Sequence, residues 1–197
     1  INQLVAERRG GATSAQIIIN SLDFAPIARM QTEGRWKDAA AHLANAAQAL
    51  ERAGADVIAI GANTMHKVAS QVMASVHVPL IHIGDTLVAG LRGHARSRPL
   101  LLGTRYTMED PFMIDHLANK GIGALVPDKA DREALHAIIY DELIKGVVTD
   151  KSRETVLAMI ERSSAREADS VIFGCTEIGM LFPPTEAGLP GYDTLEL

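Results

Sequence analysis

This 197-residue sequence predicts an α/β fold of parallel sheets, arranged as two similar halves facing each other across a cleft. Three observations lead there. Strand-like and helix-like segments alternate with short links, as βαβ units require. The strand-like runs are apolar on both faces, which suits a doubly wound sheet. Finally, A-D-V-I-A-I-G-A-N-T (residues 55–64) lies without gaps over A-D-S-V-I-F-G-C-T-E (residues 168–177). Each copy is a helix end, an Ala-Asp pair, an apolar strand, a glycine and a polar turn, which reads as an internal repeat. The competing explanation is that helix–strand units resemble one another by chance.

Taken in order, residues 1–9 have helical spacing, with Leu4 and Val5 among charged residues, and Gly10-Gly11 stops them. Residues 15–20 (A-Q-I-I-I-N) are short and β-branched and predict a buried strand. Residues 23–36 read as a loop with a helical piece. Residues 36–53 are alanine-rich with Leu43, Ala47 and Leu50 on one face, a helix closed by Gly54. A strand over 56–60 ends at Gly61, and 65–74 is helical. A strand over 78–83 leads to Gly84-Asp85 and a helix from Thr86 to about Ala95. The chain crosses between halves at Ser97-Arg98-Pro99. Then follow a strand at 100–102, a loop at 103–107, a helix at 109–120 and a strand at 123–126 ending at Pro127. Amphipathic helices at 131–145 and 151–167 precede the apolar strand that delivers Cys175. Val78-Pro79 with Asp85-Thr86 echoes Leu189-Pro190 with Asp193-Thr194, so residues 1–97 with 186–197 make the first half and 98–185 the second. The repeat lacks a partner for the strand at 100–102 and a helix after Thr194. A chain trimmed at both ends is the expectation.

Composition narrows the function. Hydrophobic residues at 47% and charged residues at 22% describe a globular protein able to bury a core. A net charge of −5, no basic run and 4% aromatics argue against nucleic acid as a partner. A single cysteine excludes an internal disulfide framework and a thiolate zinc cluster. No apolar run approaches the ~18 residues of a membrane helix and no signal peptide is visible, so a cytoplasmic location is expected.

Chemistry centres on Cys175. A strand that stops at Gly174 leaves the next side chain at the carboxyl edge of a sheet, where open α/β sheets bind ligands. A helix starting there would favour the reactive thiolate; the alternative is a small, inert core residue. In the repeat, Cys175 faces Ala62, which carries no proton. Two turns on opposite sides of one pocket suit inversion at a carbon, with a base on one face and an acid on the other. Here the site would be symmetric in backbone and asymmetric in chemistry. Asn63 and Thr64 otherwise read as a helix cap, and Thr104 and Thr107 as a turn. His66 is either an alternative acid on the Ala62 face or a structural partner. His82 with Asp85 lacks a third ligand at useful spacing for a metal. Gly103–Thr107 has no nucleotide-binding spacing.

G-A-N-T-M-H-K-V (residues 61–68), L-L-G-T-R-Y-T-M (101–108) and F-G-C-T-E-I-G (173–179) together resemble the aspartate/glutamate racemase family, nearest its bacterial aspartate and broad-specificity amino-acid racemases. The likeness spans essentially the whole chain. It implies two α/β domains related by a pseudo-twofold with the site between them, no pyridoxal phosphate or metal, and a homodimer acting on a small amino acid such as aspartate or glutamate. It also implies proton transfer by two cysteines, and a substrate-holding glycine-rich loop upstream of Ile1. Residue by residue, Cys175 matches the second catalytic cysteine and Ala62 stands where relatives carry the first, or a threonine. Asn63 and Thr64 match the pair that binds the amino and carboxylate groups, and Thr104 and Thr107 the turn that grips carboxylate. Thr176 and Glu177 match the segment beside the second cysteine, and Gln31 resembles a side-chain contact. Two other readings stay open: a single-cysteine relative of the arylmalonate decarboxylases, which protonate an enediolate from one side, and an inactive amino-acid-binding homologue.

Overall fold

Local chemistry decides where most elements start and stop in the computed structural model, which describes residues 1–197. Helix α1 (Asn2–Arg9) stops at Gly10 as expected. Helix α2 (Phe24–Thr32) occupies most of the segment expected as a loop, because the Asp23 side chain accepts from the Ala25 N–H and caps it. Helix α3 (Trp36–Arg52) buries Ala39, Ala40, Leu43 and Ala47 on one face. Strands β1 (Ile58–Ala59) and β2 (Leu80–Ile81) are short and pair with each other; a 3₁₀ turn (Thr64–Val68) and helix α4 (Ala69–Met73) lie between them.

The chain packs as two units, residues 1–58 with 71–80 and residues 59–70 with 81–197. In the first unit α2 packs on α3. Residues 15–20 are not the buried strand expected there: they join no ladder, and Ile19 is 80% exposed. A β-branched run favours a pleated, half-buried surface only where a neighbouring strand provides one, and none lies alongside.

The second unit is built on a three-stranded parallel sheet, in order β3 (Pro99–Gly103), β4 (Ser170–Gly174), β5 (Gly191–Asp193). Pro99 pairs with Ser170 through to Gly103 with Gly174, and Val171 with Gly191 through to Phe173 with Asp193. Alternate side chains enter opposite cores, as the two-residue strand period demands. Leu100, Leu102, Val171 and Phe173 join the core of Leu135, Ile139, Val156 and Met159. These last come from α8 (Lys129–Ala137), the π-helical turn that extends it (Ile138–Glu142), and α9 (Asp150–Ser164). Leu101, Ile172 and Tyr192 join Leu87, Leu91, Met113 and Leu117 from α5 (Ile83–Gly93) and α7 (Pro111–Ala118). At about 1.5–3 kcal/mol for each large apolar side chain buried, this two-sided core makes the central strands the rigid base of the unit. No helix is long and apolar enough to cross a membrane.

Several boundaries differ from the sequence expectation for local reasons. The expected helix over 109–120 begins at Pro111 because Asp110, the residue before proline, is held extended (ψ 142). Part of the expected loop at 103–107 belongs to helix α6 (Arg105–Glu109), capped by Thr104. Residues 123–126 contribute a single bridge, Leu100 to Leu125, rather than a strand. The unit boundary also departs from the expected halves: β5 lies within residues 186–197 yet pairs with β4, which places that tail beside 98–185.

Gly103 and Gly174 let β3 and β4 approach closely. A Cβ on Gly174 would stand 2.7 Å from the Leu102 carbonyl oxygen and 2.9 Å from Leu101 Cδ1. Gly174→Ala is therefore expected to cost about 1–3 kcal/mol, read as a lower urea midpoint. An unchanged midpoint would mean the strands part without strain.

Candidate active site

Three neighbouring parallel strands end in Gly103, Gly174 and Asp193 and deliver Thr104, Cys175 and Thr194 to one carboxyl edge. Crossovers of a parallel sheet leave such an edge open for a ligand. Asn63 and Thr64 belong to the same packing unit.

Thr64, Thr104 and Thr107 form a ring of hydroxyls. Thr64 Oγ1 lies 2.9 Å from Thr104 Oγ1 and 3.2 Å from Thr107 Oγ1, and the last two are 3.3 Å apart. All three are buried. Thr104 also closes its turn, accepting from the Thr107 N–H, so the turn and cluster roles coexist. Hydroxyls rotate, so a buried ring of them is able to turn its protons toward an incoming carboxylate.

Asn63 does not cap the helix that follows; its side chain makes no capping bond. Its Nδ2 donates to Thr194 Oγ1 at 2.8 Å, and Thr194 Oγ1 donates to the Phe173 carbonyl at 3.0 Å. The one hydroxyl proton of Thr194 is thereby committed, so the Asn63 atom facing it must be the NH₂ group. That orientation leaves Asn63 Oδ1, in a side chain only 4% exposed, without a hydrogen-bond partner. A buried acceptor left unpaired costs about 1–3 kcal/mol, and a ligand N–H at this point would recover it. Thr194 was legible in the sequence only as part of the Asp193-Thr194 echo.

Cys175 is 8% exposed, and its Sγ donates to Glu177 Oε2 at 3.0 Å. The Thr176 hydroxyl donates to the same oxygen at 2.7 Å. Burial first, then the Glu177 charge and hydrogen bond, push the thiol well above the ordinary cysteine range. This reverses the expectation of a thiolate. The segment after Cys175 is only a 3₁₀ turn (Ile178–Met180), too short for a helix dipole, and the nearest charge is negative. Cys175 therefore rests as a thiol whose proton points at a carboxylate. Replacing that carboxylate by Glu177→Gln is expected to move the thiol titration, followed at 240 nm, to lower pH. The Cys175→Ser chain titrated in parallel removes the contribution of the three tyrosines, whose phenolates absorb in the same range. A shift to higher pH would show that Glu177 stabilises the thiolate. The π-helical turn carries Tyr140, whose phenol is pushed up to about 12, chiefly by burial and then by Tyr106, Cys175 and Glu177.

Ala62 itself carries no proton to give, and the nearby His66 is engaged at both nitrogens. His66 Nδ1 lies 2.9 Å from the Ala62 carbonyl, an acceptor, and His66 Nε2 lies 3.1 Å from the Ile83 N–H, a donor. Both nitrogens are used, in the neutral tautomer with its proton on Nδ1. The ring is structural and not a spare acid. Thr176 and Glu177 lie beside Cys175 as expected, whereas Gln31, buried on α2, belongs to the first unit.

The third partner for His82 and Asp85, missing from the sequence reading, comes from α7: His116 Nε2 donates to Asp85 Oδ1 at 2.9 Å. Their donor atoms lie within 4.8 Å of one another. Coordination does not fit this arrangement. His82 Nδ1 already accepts from the Gly84 N–H, and the His82 and His116 rings stack 4.4 Å apart at 11°. Near-parallel rings separated by van der Waals contact, about 3.5 Å, cannot both aim in-plane lone pairs at one ion about 2.1 Å away.

The chain is similar throughout its length to proteins of one known family. The profile of the Asp/Glu/Hydantoin racemase family matches residues 1–197. A Yersinia pestis protein crystallised as a candidate Asp/Glu racemase superposes with a TM-score of 0.89 at 43% identity, over 98% of this chain and 84% of its own. The Pyrococcus horikoshii protein PH1733, an aspartate racemase homologue, superposes with a TM-score of 0.82 at 31% identity, over 99% and 85%. The broad specificity amino-acid racemase RacX of Bacillus subtilis is 22% identical over 145 residues, 74% of this chain and 62% of RacX, so the chain spans less than two thirds of that curated relative.

Proposed function

Since the chain belongs to the Asp/Glu/hydantoin racemase family, we propose that it moves the α-proton of a small amino acid of the aspartate or glutamate type, with Cys175 as its single acid/base group. One observation carries this reading: Asn63, with its orphaned acceptor Oδ1, directly precedes in sequence Thr64 of a buried ring of hydroxyls. An α-amino acid presents the matching pair, an ammonium donor and a carboxylate acceptor, on one carbon.

In the reaction, the Cys175 thiol first hands its proton to Glu177, along the 3.0 Å hydrogen bond between them. The thiolate then takes the α-proton, and the electron pair left on carbon spreads into the carboxylate as an enediolate. Thr64, Thr104 and Thr107 hydroxyls steady the growing charge in a site shielded from water. Return of a proton from the same thiol restores the starting configuration. Inversion requires a proton from the opposite face, where Ala62 offers only a methyl group and His66 is fully engaged. Exchange of the α-proton on one face is therefore faster than inversion. The polar residues Asn63 and Thr64 suit an amino acid better than the arylmalonate of a single-thiol decarboxylase, whose aryl group needs an apolar slot.

Titration calorimetry with aspartate and with succinate, which lacks the ammonium group, tests the binding half of this reading. Aspartate is expected to bind at least about tenfold tighter, because succinate leaves Asn63 Oδ1 unpaired. Equal affinity would remove Asn63 from ammonium recognition.

A further inference from the structure

Helix α5 starts in an unusual way. The first amides of a helix have no partner within it, and the ordinary remedy is an oxygen from a serine, threonine, aspartate or asparagine side chain. Here two imidazole nitrogens supply it. The Ile83 N–H donates to His66 Nε2 at 3.1 Å, and the Gly84 N–H donates to His82 Nδ1 at 3.0 Å. His66 also reaches backward, its Nδ1–H donating to the Ala62 carbonyl at 2.9 Å. One ring thus joins the start of α5 to the turn that carries Asn63 and Thr64.

We propose that His66 and His82 are positioning residues, a pair of neutral imidazoles that clamps the 62–64 turn onto α5 and releases it when acid protonates them. The clamp stands on geometry; its effect on turnover rests on the racemase reading.

Packing supports a built device. The His66 and His82 rings meet edge to face at 4.7 Å, and His82 stacks on His116. A Cβ on Gly84 would stand 2.5 Å from His116 Cδ2 and 3.0 Å from His82 Nδ1, so only glycine lets the rings settle over the helix start. Each clamp bond needs a bare nitrogen. A proton on His66 Nε2 or His82 Nδ1 would set N–H against N–H at the positive end of a helix.

The titratable groups facing the two rings are each other, His116 from α7 and Asp85 from α5. Asp85 is engaged by His116, and the neighbouring Lys67 is paired with Asp110 at 2.7 Å. Burial lowers His66, and burial with the charges of His66 and His116 pushes His82 down to about 4. Both sit below the ordinary histidine value of about 6.5. The clamp's contribution is therefore complete above that value and is lost as the pH falls toward 4.

Imidazole ¹⁵N–¹H NMR of the full chain reads this directly. At neutral pH, His66 is expected to carry its proton on Nδ1 and His82 on Nε2. On acidification, the Ile83 and Gly84 amides should lose exchange protection together as these rings titrate. His82→Asn caps the helix without titrating, so at about pH 4.5 its Gly84 amide should exchange about tenfold or more slowly than in the parent. The acid limb of α-proton exchange should move to lower pH in the same variant. The opposite tautomers, or amides indifferent to acid, would overturn the clamp. So would stoichiometric Zn²⁺ binding that shifts His82 and His116 together, which would make the cluster a metal site. Intact tautomers and protection with no α-proton exchange in any variant would leave the clamp standing and remove the racemase reading.

Discussion

Cys175→Ser is expected to slow α-proton exchange on aspartate or glutamate by about 10²–10⁴-fold, the range general acid–base groups contribute. The two side chains differ by one atom, and the serine hydroxyl can keep the hydrogen bond to Glu177. The fold should therefore survive, and urea unfolding checks that it does. What is lost is the ionisable group, because an alkoxide is out of reach where a thiolate still forms. Glu177 cannot take over, since its carboxylate reaches the reacting carbon only through the sulfur in this mechanism. Residual exchange within about threefold of the parent would place the base elsewhere.

Ala62→Cys should act in the opposite direction. The repeat matches Ala62 to Cys175, and the proposed reaction has the two flank one carbon; the Ala62 backbone is anchored through its carbonyl to His66. A thiol at this position supplies the missing proton on the second face. The ratio of inversion to exchange, followed by chiral chromatography, should rise by about 10²-fold or more. An unchanged ratio in a folded variant would mean that residue 62 does not face the α-carbon. The two substitutions together probe both faces of one carbon.

Much of this site is legible in the sequence, for a physical reason. A parallel strand that ends in glycine must deliver its next residue to the carboxyl edge, so Cys175 follows from the pattern alone, and Thr104 sits at the same place on its own strand. Thr64 and Thr107 are singled out only by the family resemblance, since local chemistry alone reads them as a cap and a turn. Side-chain direction within a turn does not follow. Whether Glu177 lies against Cys175 depends on the backbone between them, and that detail reversed the expected charge state of the thiol. Partners distant in sequence were equally hidden: His116 reaches Asp85 from α7, and Thr194 holds Asn63 from the end of β5. In the fold, the strands buried on both faces and the long α3 were plain from composition. Residues 15–20 were not, because β-branched composition says what a strand would bury and not whether a neighbour is present.

The measurement that tests the single-thiol account most directly is the fate of L- and D-aspartate and glutamate in D₂O. NMR follows loss of the α-proton, and chiral chromatography of the same samples follows inversion. The account predicts deuterium entering one enantiomer with its configuration retained, well ahead of inversion, and slowed at least about 10²-fold by Cys175→Ser. Inversion keeping pace with exchange from both enantiomers would contradict it, because a second donor would then face Ala62.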